Sequence, residues 1–219
     1  EAFFGCHIYN LLIRGIFLYF HTLIVQRISK ECKVYFPPKI PENLEIGDKV
    51  EYGNMLGKPL IWQVYDKDEE LTYLITRDIV VCRSFDNYSA DYESSDLRRW
   101  LNEEFCNKVF TDEEREELNI NEFKVHSYSK RGLIDIADKV LISSPSEIEE
   151  YFGEGNVWEV SHTELALATG GSTECWTRWS YGPETPMHVD KYGKVNERMR
   201  YHAGMTAGVR PVIAFKNKQ

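Results

Sequence analysis

Paired cysteines are missing from this sequence: Cys6, Cys32, Cys82, Cys106 and Cys175 are odd in number, widely scattered and without a CxxC spacing. A disulfide framework or a zinc knuckle needs closer, paired ligands, so both are excluded. Buried free thiols in a reducing compartment are the remaining expectation. Catalytic signatures are absent as well. There is no GxSxG elbow, P-loop, HExxH or GxGxxG run, which removes the common sequence marks of an activated nucleophile, a phosphate cradle or a catalytic zinc. Repeats and low-complexity stretches are lacking too, and apolar and charged fractions of 42% and 28% are those of an ordinary soluble protein. At 219 residues, one domain with an appendage is the economical reading.

Positive charge is scarce outside the first 39 residues. That segment holds Arg14, Arg27, Lys30, Lys33 and Lys39 against Glu1 and Glu31, a balance of +3, so the net charge of -9 leaves -12 for the rest. A body this acidic repels a phosphate backbone, and no stripe of Lys and Arg interleaved with aromatics offsets it, which argues against nucleic acid as a partner. Residues 3–25 are apolar apart from His7, Asn10, Arg14, His21 and a few others, with Gly15 to Phe20 the longest uninterrupted stretch. Three readings stay open for them: a membrane anchor, a helix packed on a domain or partner, and the remnant of an upstream segment. A signal peptide is not expected, since no small-residue cleavage site follows. If the segment spans a membrane, Arg27, Lys30 and Lys33 hold the domain on the cytoplasmic side. The domain is thus expected in the cytoplasm or attached to a membrane. Pro37, Pro38 and Pro41 read as a stiff linker, giving residues 1–39 as segment and linker and 40–219 as the globular domain.

Within that domain, Lys49 to Tyr52 and Leu60 to Tyr65 alternate in polarity around a turn at Gly53 to Gly57, the pattern of a hairpin. Leu71 to Thr76 adds a third strand, and Ile79 to Cys82 extends it or begins a helix. Helix starts follow. Ser95 with Asp96 caps a helix whose Leu97, Trp100, Leu101 and Phe105 share a face. Thr111 with Glu114, Ser144 with Glu147, and Ser161 with Glu164 each form the capping-box pattern, and Gly170-Gly171 stops the last helix. Strands are expected at Phe123 to His126, Lys139 to Ile142, Cys175 to Trp179, Pro186 to Asp190, Lys194 to Met199 and Val209 to Phe215. Strands at both ends around central helices make an α+β domain, largely antiparallel, whose terminal strands pair.

No catalytic or metal constellation stands out. His188-x-Asp190 is the nearest thing to a metal pair, and a half-exposed strand with polar residues explains it better. No cofactor is expected. What is unusual is the density of Trp176, Arg178, Trp179, Tyr181, His188, Tyr192, Arg198, Arg200, Tyr201 and His202 within 27 positions. These residue types dominate binding hot spots, and loops at Gly182 to Pro186 and Tyr201 to Ala207 are where recognition residues sit. Strand alternation separates Trp176 and Arg178 from Trp179, so the two Trp rings cannot share a face.

Taken in order, Gly47-Asp48-Lys49-Val50-Glu51-Tyr52-Gly53, Pro59 to Val64, Ser95 to Asn102, Asp138-Lys139-Val140, Trp176-Thr177-Arg178 and Gly208-Val209-Arg210-Pro211 resemble a bacterial domain family of unknown function that closes with a Gly-Val-Arg-Pro strand. That family in turn is similar to C-type-lectin-like folds, including the formylglycine-generating enzyme group. The resemblance implies a mixed domain that displays variable loops, with Trp62, Trp100, Trp176, Arg178 and Arg210 as scaffold. It does not carry over calcium-dependent sugar binding or copper oxidase chemistry, because neither a Glu-Pro-Asn motif nor the copper cysteine pair is present. The expectation is a non-enzymatic module that recognises a protein or carbohydrate through Trp179, Tyr181, His188, Tyr192, Tyr201 and His202. The competing expectation is a hydrolase or oxidase of the wider superfamily, marked by a deep pocket of converging carboxylates, His or Cys.

Overall fold

The computed structural model describes residues 39–152, 158, 160–195 and 201–217. They form a sheet-rich α+β domain, with residues 3–25 outside the described part. Strands β1 (Lys49–Met55) and β2 (Lys58–Lys67) form the expected hairpin. Its turn is tighter than the sequence suggests: the chain reverses at Leu56-Gly57, and Gly53 lies inside β1 at a bulge between Glu51 and Asn54. β3 (Leu71–Thr76) pairs with β2. Two short strands, β4 (Asp78–Ile79) and β5 (Val81–Ser84), occupy the stretch Ile79 to Cys82 that the sequence left open between an extension of the third strand and the start of a helix. β6 (Asn121–Ser127) and β7 (Gly132–Asp138) make a separate antiparallel ribbon, and β8 (Ser161–His162) runs parallel to β4.

The C-terminal apolar run departs most from expectation. Instead of one strand from Val209 to Phe215 there are two, β11 (Thr206–Val209) and β12 (Val212–Lys216). They belong to different sheets: β1-β2-β3-β12 in one, and β10 (Thr185–Val189), β9 (Cys175–Gly182), β11 and β5 in the other. Arg210-Pro211 is the crossing point. Pro211 has no N–H to give to a ladder, and its carbonyl instead accepts the Thr76 N–H at 3.0 Å. The last strand joins the first sheet by pairing with β3, but the terminal strands themselves do not pair, since β1 and β12 stand at opposite edges. Two hydrophobic clusters lie across both sheets, the larger with Tyr52, Trp62, Phe85, Leu97, Leu101 and Trp176 among its members and the smaller with Tyr65, Ile75, Cys175, Val189 and Val212.

Helices begin where side chains satisfy the free N–H groups of the first turn. Ser95 accepts from Arg98 N at 3.1 Å and starts α1 (Asp96–Arg99). A π-helical stretch, Trp100–Phe105, carries the rod into α2 (Cys106–Val109). Thr111 and Glu114 exchange bonds of 2.8 and 3.2 Å at α3 (Asp112–Glu117). Ser144 and Glu147 do the same, at 3.0 and 3.2 Å, at α4 (Pro145–Phe152).

Two expectations fail here. Ser161 caps nothing, because it is drawn into β8 beside Asp78. Thr163 instead accepts from Ala166 N at 3.1 Å to start α5 (Glu164–Ala168). Thr163→Ala is therefore expected to cost about 1 kcal/mol in a denaturant titration, the usual loss of a cap, whereas Ser161→Ala leaves α5 capped. Equal losses from the two would place the cap wrongly. Lys139 to Ile142 is not a strand either: Asn102 takes both main-chain groups of Val140, at 3.1 and 2.8 Å, leaving a single bridge from Leu141 to Val212. Of the strand expected at Lys194 to Met199, Val195 bridges Val189, and residues 196–200 lie outside the described part.

Candidate functional site

β9 runs beneath cover along its first half, where Cys175 to Arg178 are all buried, and alternates beyond it. Arg178 and Ser180 stay buried, while Trp179 is 37% and Tyr181 42% exposed. The two rings thus lie two residues apart where the sheet loses its cover. Arg178 fixes this stretch from within. Its guanidinium donates to Ile142 O at 2.8 Å and to both Glu147 oxygens, and it faces the Phe123 ring at 4.9 Å. The carboxylate partner is thus Glu147, whereas Asp96 pairs with Arg99.

Three loops converge at the Tyr181 end. Phe85 N and Asp86 N both donate to Ala203 O, Ala90 N to Pro183 O at 2.7 Å, and Ala203 N to Glu184 O at 3.0 Å. Asp86 organises the first of these loops: its carboxylate accepts from the N–H groups of Tyr88, Ser89 and Asp96. Partial burial opposes its ionisation, but those main-chain donors hold the carboxyl below the usual range. The loops display Tyr88, 82% exposed, together with His202 and Glu184, whose side chains stand 3.8 Å apart. Tyr88 was not among the residues the sequence singled out. Its signal was the turn chemistry of Asp86-Asn87-Tyr88-Ser89, which puts an aromatic ring where a polar turn has no core to bury it.

The six sequence-selected residues do not form one face. Trp179, Tyr181 and His202 gather at this end. Tyr192 is exposed but belongs to the turn past the opposite end of β10, where Asp190 Oδ1 accepts from Tyr192 N and Lys194 N. Six strand residues, roughly 20 Å, separate that end from Tyr181. The same two bonds make Asp190 a turn residue, so no pair with His188 forms. His188 is fully buried, contrary to the surface role expected of it, because it sits opposite Trp176 on a part of the sheet that is covered. Its Nε2 stands 3.7 Å from Glu174 Oε2, and its ring lies 4.2 Å from that of half-buried Tyr201. Burial pushes the imidazole pKa down, against the pull of Glu174 and Asp190.

The residues selected as scaffold are buried, apart from half-buried Trp100. Trp62 is buried and donates to Tyr52 O at 2.7 Å. Trp176 donates to Arg83 O at 2.8 Å, and half-buried Trp100 lies 4.8 Å from the Arg83 guanidinium. Arg210 donates to Thr76 O at 2.9 Å and stacks 4.1 Å over Trp158. Burial pushes its pKa down to about 10. Cys82, Cys106 and Cys175 are buried free thiols, and burial pushes Cys175 up to about 12. Among the described residues no group of three His, Cys, Asp or Glu side chains could hold a metal ion, and no helix is long and apolar enough to cross a membrane. A cleft of about 830 Å³ lined by Leu44, Leu118, Ile120 and Phe215 lies elsewhere and includes none of the selected residues.

A family model for a domain of unknown function, DUF6273, matches residues 70–217, from just before β3 to the end of β12. The chain belongs to the DUF6273 family. The match takes in every residue of the three converging loops and both strands that flank Arg210. The DUF6273 match begins after β1 and β2, yet β2 pairs directly with β3 and so completes the first sheet. No curated protein and no solved structure matches the chain.

Proposed function

We propose that this DUF6273 domain is a non-enzymatic recognition module, binding a protein or carbohydrate through Tyr88, Trp179, Tyr181 and His202. The observation that carries the reading is the convergence of three loops at the Tyr181 end of β9, each tied to the next by main-chain hydrogen bonds while aromatic rings stay in solvent. Fixing such rings before binding avoids the ordering cost that otherwise erodes affinity. Tyr and Trp also offer large areas at few rotatable bonds, with a polar tip. A C-type-lectin-like scaffold fits this arrangement: the last strand returns to the first sheet, and the second sheet carries the displayed loops. An enzyme is the weaker reading, since the acid and base groups found together, Glu174, His188 and Tyr201, are closed over by touching rings rather than open to a substrate.

The test is a glycan array and a pull-down run with the full chain and with Trp179→Ala, Tyr181→Ala and Tyr88→Ala. Loss of ten-fold or more in affinity is expected for the first two, the scale of a hot-spot ring. Melting temperatures should stay within about 2 °C, as exposed substitutions rarely cost more than ~0.5 kcal/mol. Unchanged binding, or unfolding on loss of Trp179, would place the recognition face elsewhere.

A further inference from the structure

A buried charge has to be met by an opposite charge and by hydrogen bonds, because water no longer solvates it. Arg178 obeys this rule and Arg210 does not. Both are buried, and Arg178 has the Glu147 carboxylate. The Arg210 guanidinium donates from Nε to Thr76 O at 2.9 Å, but its Nη1 is buried with no hydrogen bond. Asp78 attracts it at longer range, yet the Asp78 oxygens are taken by Arg77, at 3.0 and 2.7 Å, and by Ser161. Arg210 thus has no carboxylate partner among the described residues. Even with its pKa pushed down to about 10 by burial, the group keeps its charge at neutral pH.

A second orphaned donor lies against the first. Trp158 is as deeply buried as Arg210, at 4% exposure each, and stacks against the guanidinium at 4.1 Å. Its Nε1 is likewise buried without a partner. Phe152 holds the indole in place with its ring edge-on at 4.9 Å, as does Gly193, where a Cβ would stand 3.0 Å from Trp158 Cβ and Cγ. Nη1 is one bond from Cζ and Nε1 is a ring member, so the stack sets them within the roughly 6 Å that one acceptor spans with two bonds of about 3 Å. Both atoms can only donate. The Thr76 hydroxyl, also without a partner, does not serve them. Alternation along β3 puts Thr76 with Leu74 of the larger cluster, while Trp158 lies with Ile75 in the smaller.

We propose that Arg210 and Trp158 form a binding site for a small monovalent anion, chloride or a carboxylate of formate's size, which accepts one hydrogen bond from Nη1 and one from Nε1. A water molecule accepts the same two bonds. It leaves the charge unmet, however, and its own protons need acceptors that Arg210 and Trp158 lack. An anion answers the donors and the charge together. Burial sets the size: with both residues 4% exposed and Gly193 against the indole, only a small ion fits.

The site lies where the chain crosses between sheets. Arg210 stands between β11 and β12, and its Nε is bonded to the last residue of β3. Trp158 belongs to the stretch between α4 and β8. A bound anion therefore ties Trp158 to the crossing, and the stability of the domain rises with anion concentration, as for any ligand that binds only the folded chain. No residue of the recognition face takes part, so the anion site stands or falls apart from that reading.

The experiment is a titration of the full chain, prepared in sodium gluconate, whose anion is too large to enter, with chloride or formate replacing gluconate at constant ionic strength. Indole N–H signals are followed by proton–nitrogen NMR. Trp62 and Trp176 donate to carbonyls and serve as internal standards, while Trp158 is assigned by the loss of its signal in Trp158→Phe. The Trp158 signal is expected to move saturably with chloride, formate or both, the arm that saturates at lower concentration naming the occupant, while Trp62 and Trp176 stay still. The midpoint of urea denaturation should rise over the same concentrations, and Arg210→Gln should abolish both responses. A Trp158 signal that stays flat with both anions, or that moves only in step with Trp62 and Trp176, overturns the site and leaves water as the acceptor. Should Arg210→Gln fail to fold, the wild-type comparison of gluconate with the two anions decides alone.

Discussion

Replacing Arg178 by methionine is expected to cost the domain about 3–5 kcal/mol, the loss seen when one partner of a buried pair is removed, and to lower its melting temperature by on the order of 10 °C. The guanidinium is buried and serves three acceptors: Ile142 O at 2.8 Å, Glu147 Oε2 at 2.7 Å and Glu147 Oε1. Methionine fills similar volume but donates nothing. Ile142 O then loses a bonded donor within the core, and a half-buried carboxylate loses its counter-charge. Glu147 also accepts from Ser144 N at 3.0 Å as the capping residue of α4, so the helix start is weakened by the same change. Since Glu147 keeps some contact with water, the loss should fall toward the lower end of the range. Denaturation of Arg178→Met, Glu147→Met and the double variant separates the contributions. The double variant should regain much of the loss, because removing both charges leaves no unpaired ion. A single variant with an unmoved midpoint would show that the pair holds nothing together.

The features legible in the sequence were those whose cause is local. Ser95, Thr111 with Glu114, and Ser144 with Glu147 act on N–H groups three residues away, so their identity and spacing suffice. The alternation of Lys49 to Tyr52 and Leu60 to Tyr65 likewise fixes a hairpin without reference to anything distant. Where the deciding partner is remote, pattern fails. Val140 is taken out of a strand by Asn102. Ser161-x-x-Glu164 has the spacing of a capping box, but pairing of Ser161 with Asp78 prevails and Thr163 takes the role. The run Val209 to Phe215 reads as one strand because its residues suit a sheet throughout. Only Pro211, unable to donate, marks the crossing between sheets.

The same distinction runs through the candidate site. Alternation along β9 correctly separates Trp176 from Trp179, since it depends on neighbours one and two residues apart. His188 was read as exposed because a polar residue on a strand usually faces water. Its position opposite Trp176 in the β9–β10 register puts it under cover instead. Tyr192 is close in sequence to the other aromatics but lies past the far end of a strand, and a linear count of residues cannot express that. Tyr88 enters through Ala90 and Pro183, a contact between segments more than ninety positions apart. Its exposure had a local signal in the Asp86 to Ser89 turn, but its place beside the other loops did not, and neither did the facing of Glu174 and His188.

Gly53→Ala is the second large effect, and it should destabilise by roughly 3 kcal/mol or more, as two independent costs coincide. The first is conformational: Gly53 has φ +67°, in the left-handed region that an L side chain enters at a cost of about 1 kcal/mol. The second is steric. A Cβ there would stand 2.6 Å from Val109 Cγ1 and 2.7 Å from Phe110 Cε1, inside the core that Phe110 shares with Tyr52 and Trp62. Overpacking of this kind costs about 1–3 kcal/mol. Retreat is blocked, because Gly53 N is bonded to Glu114 Oε1 at 3.2 Å and that carboxylate also closes the α3 capping box. Gly47 supplies the control. It too has a left-handed φ, +95°, but a Cβ there meets nothing within 4 Å. Gly47→Ala therefore bears the conformational cost alone, and the difference between the two variants in a denaturant titration measures the packing of β1 against Val109 and Phe110. Equal losses would mean that the bulge in β1 is fixed by backbone conformation, and that this close approach carries no energy of its own.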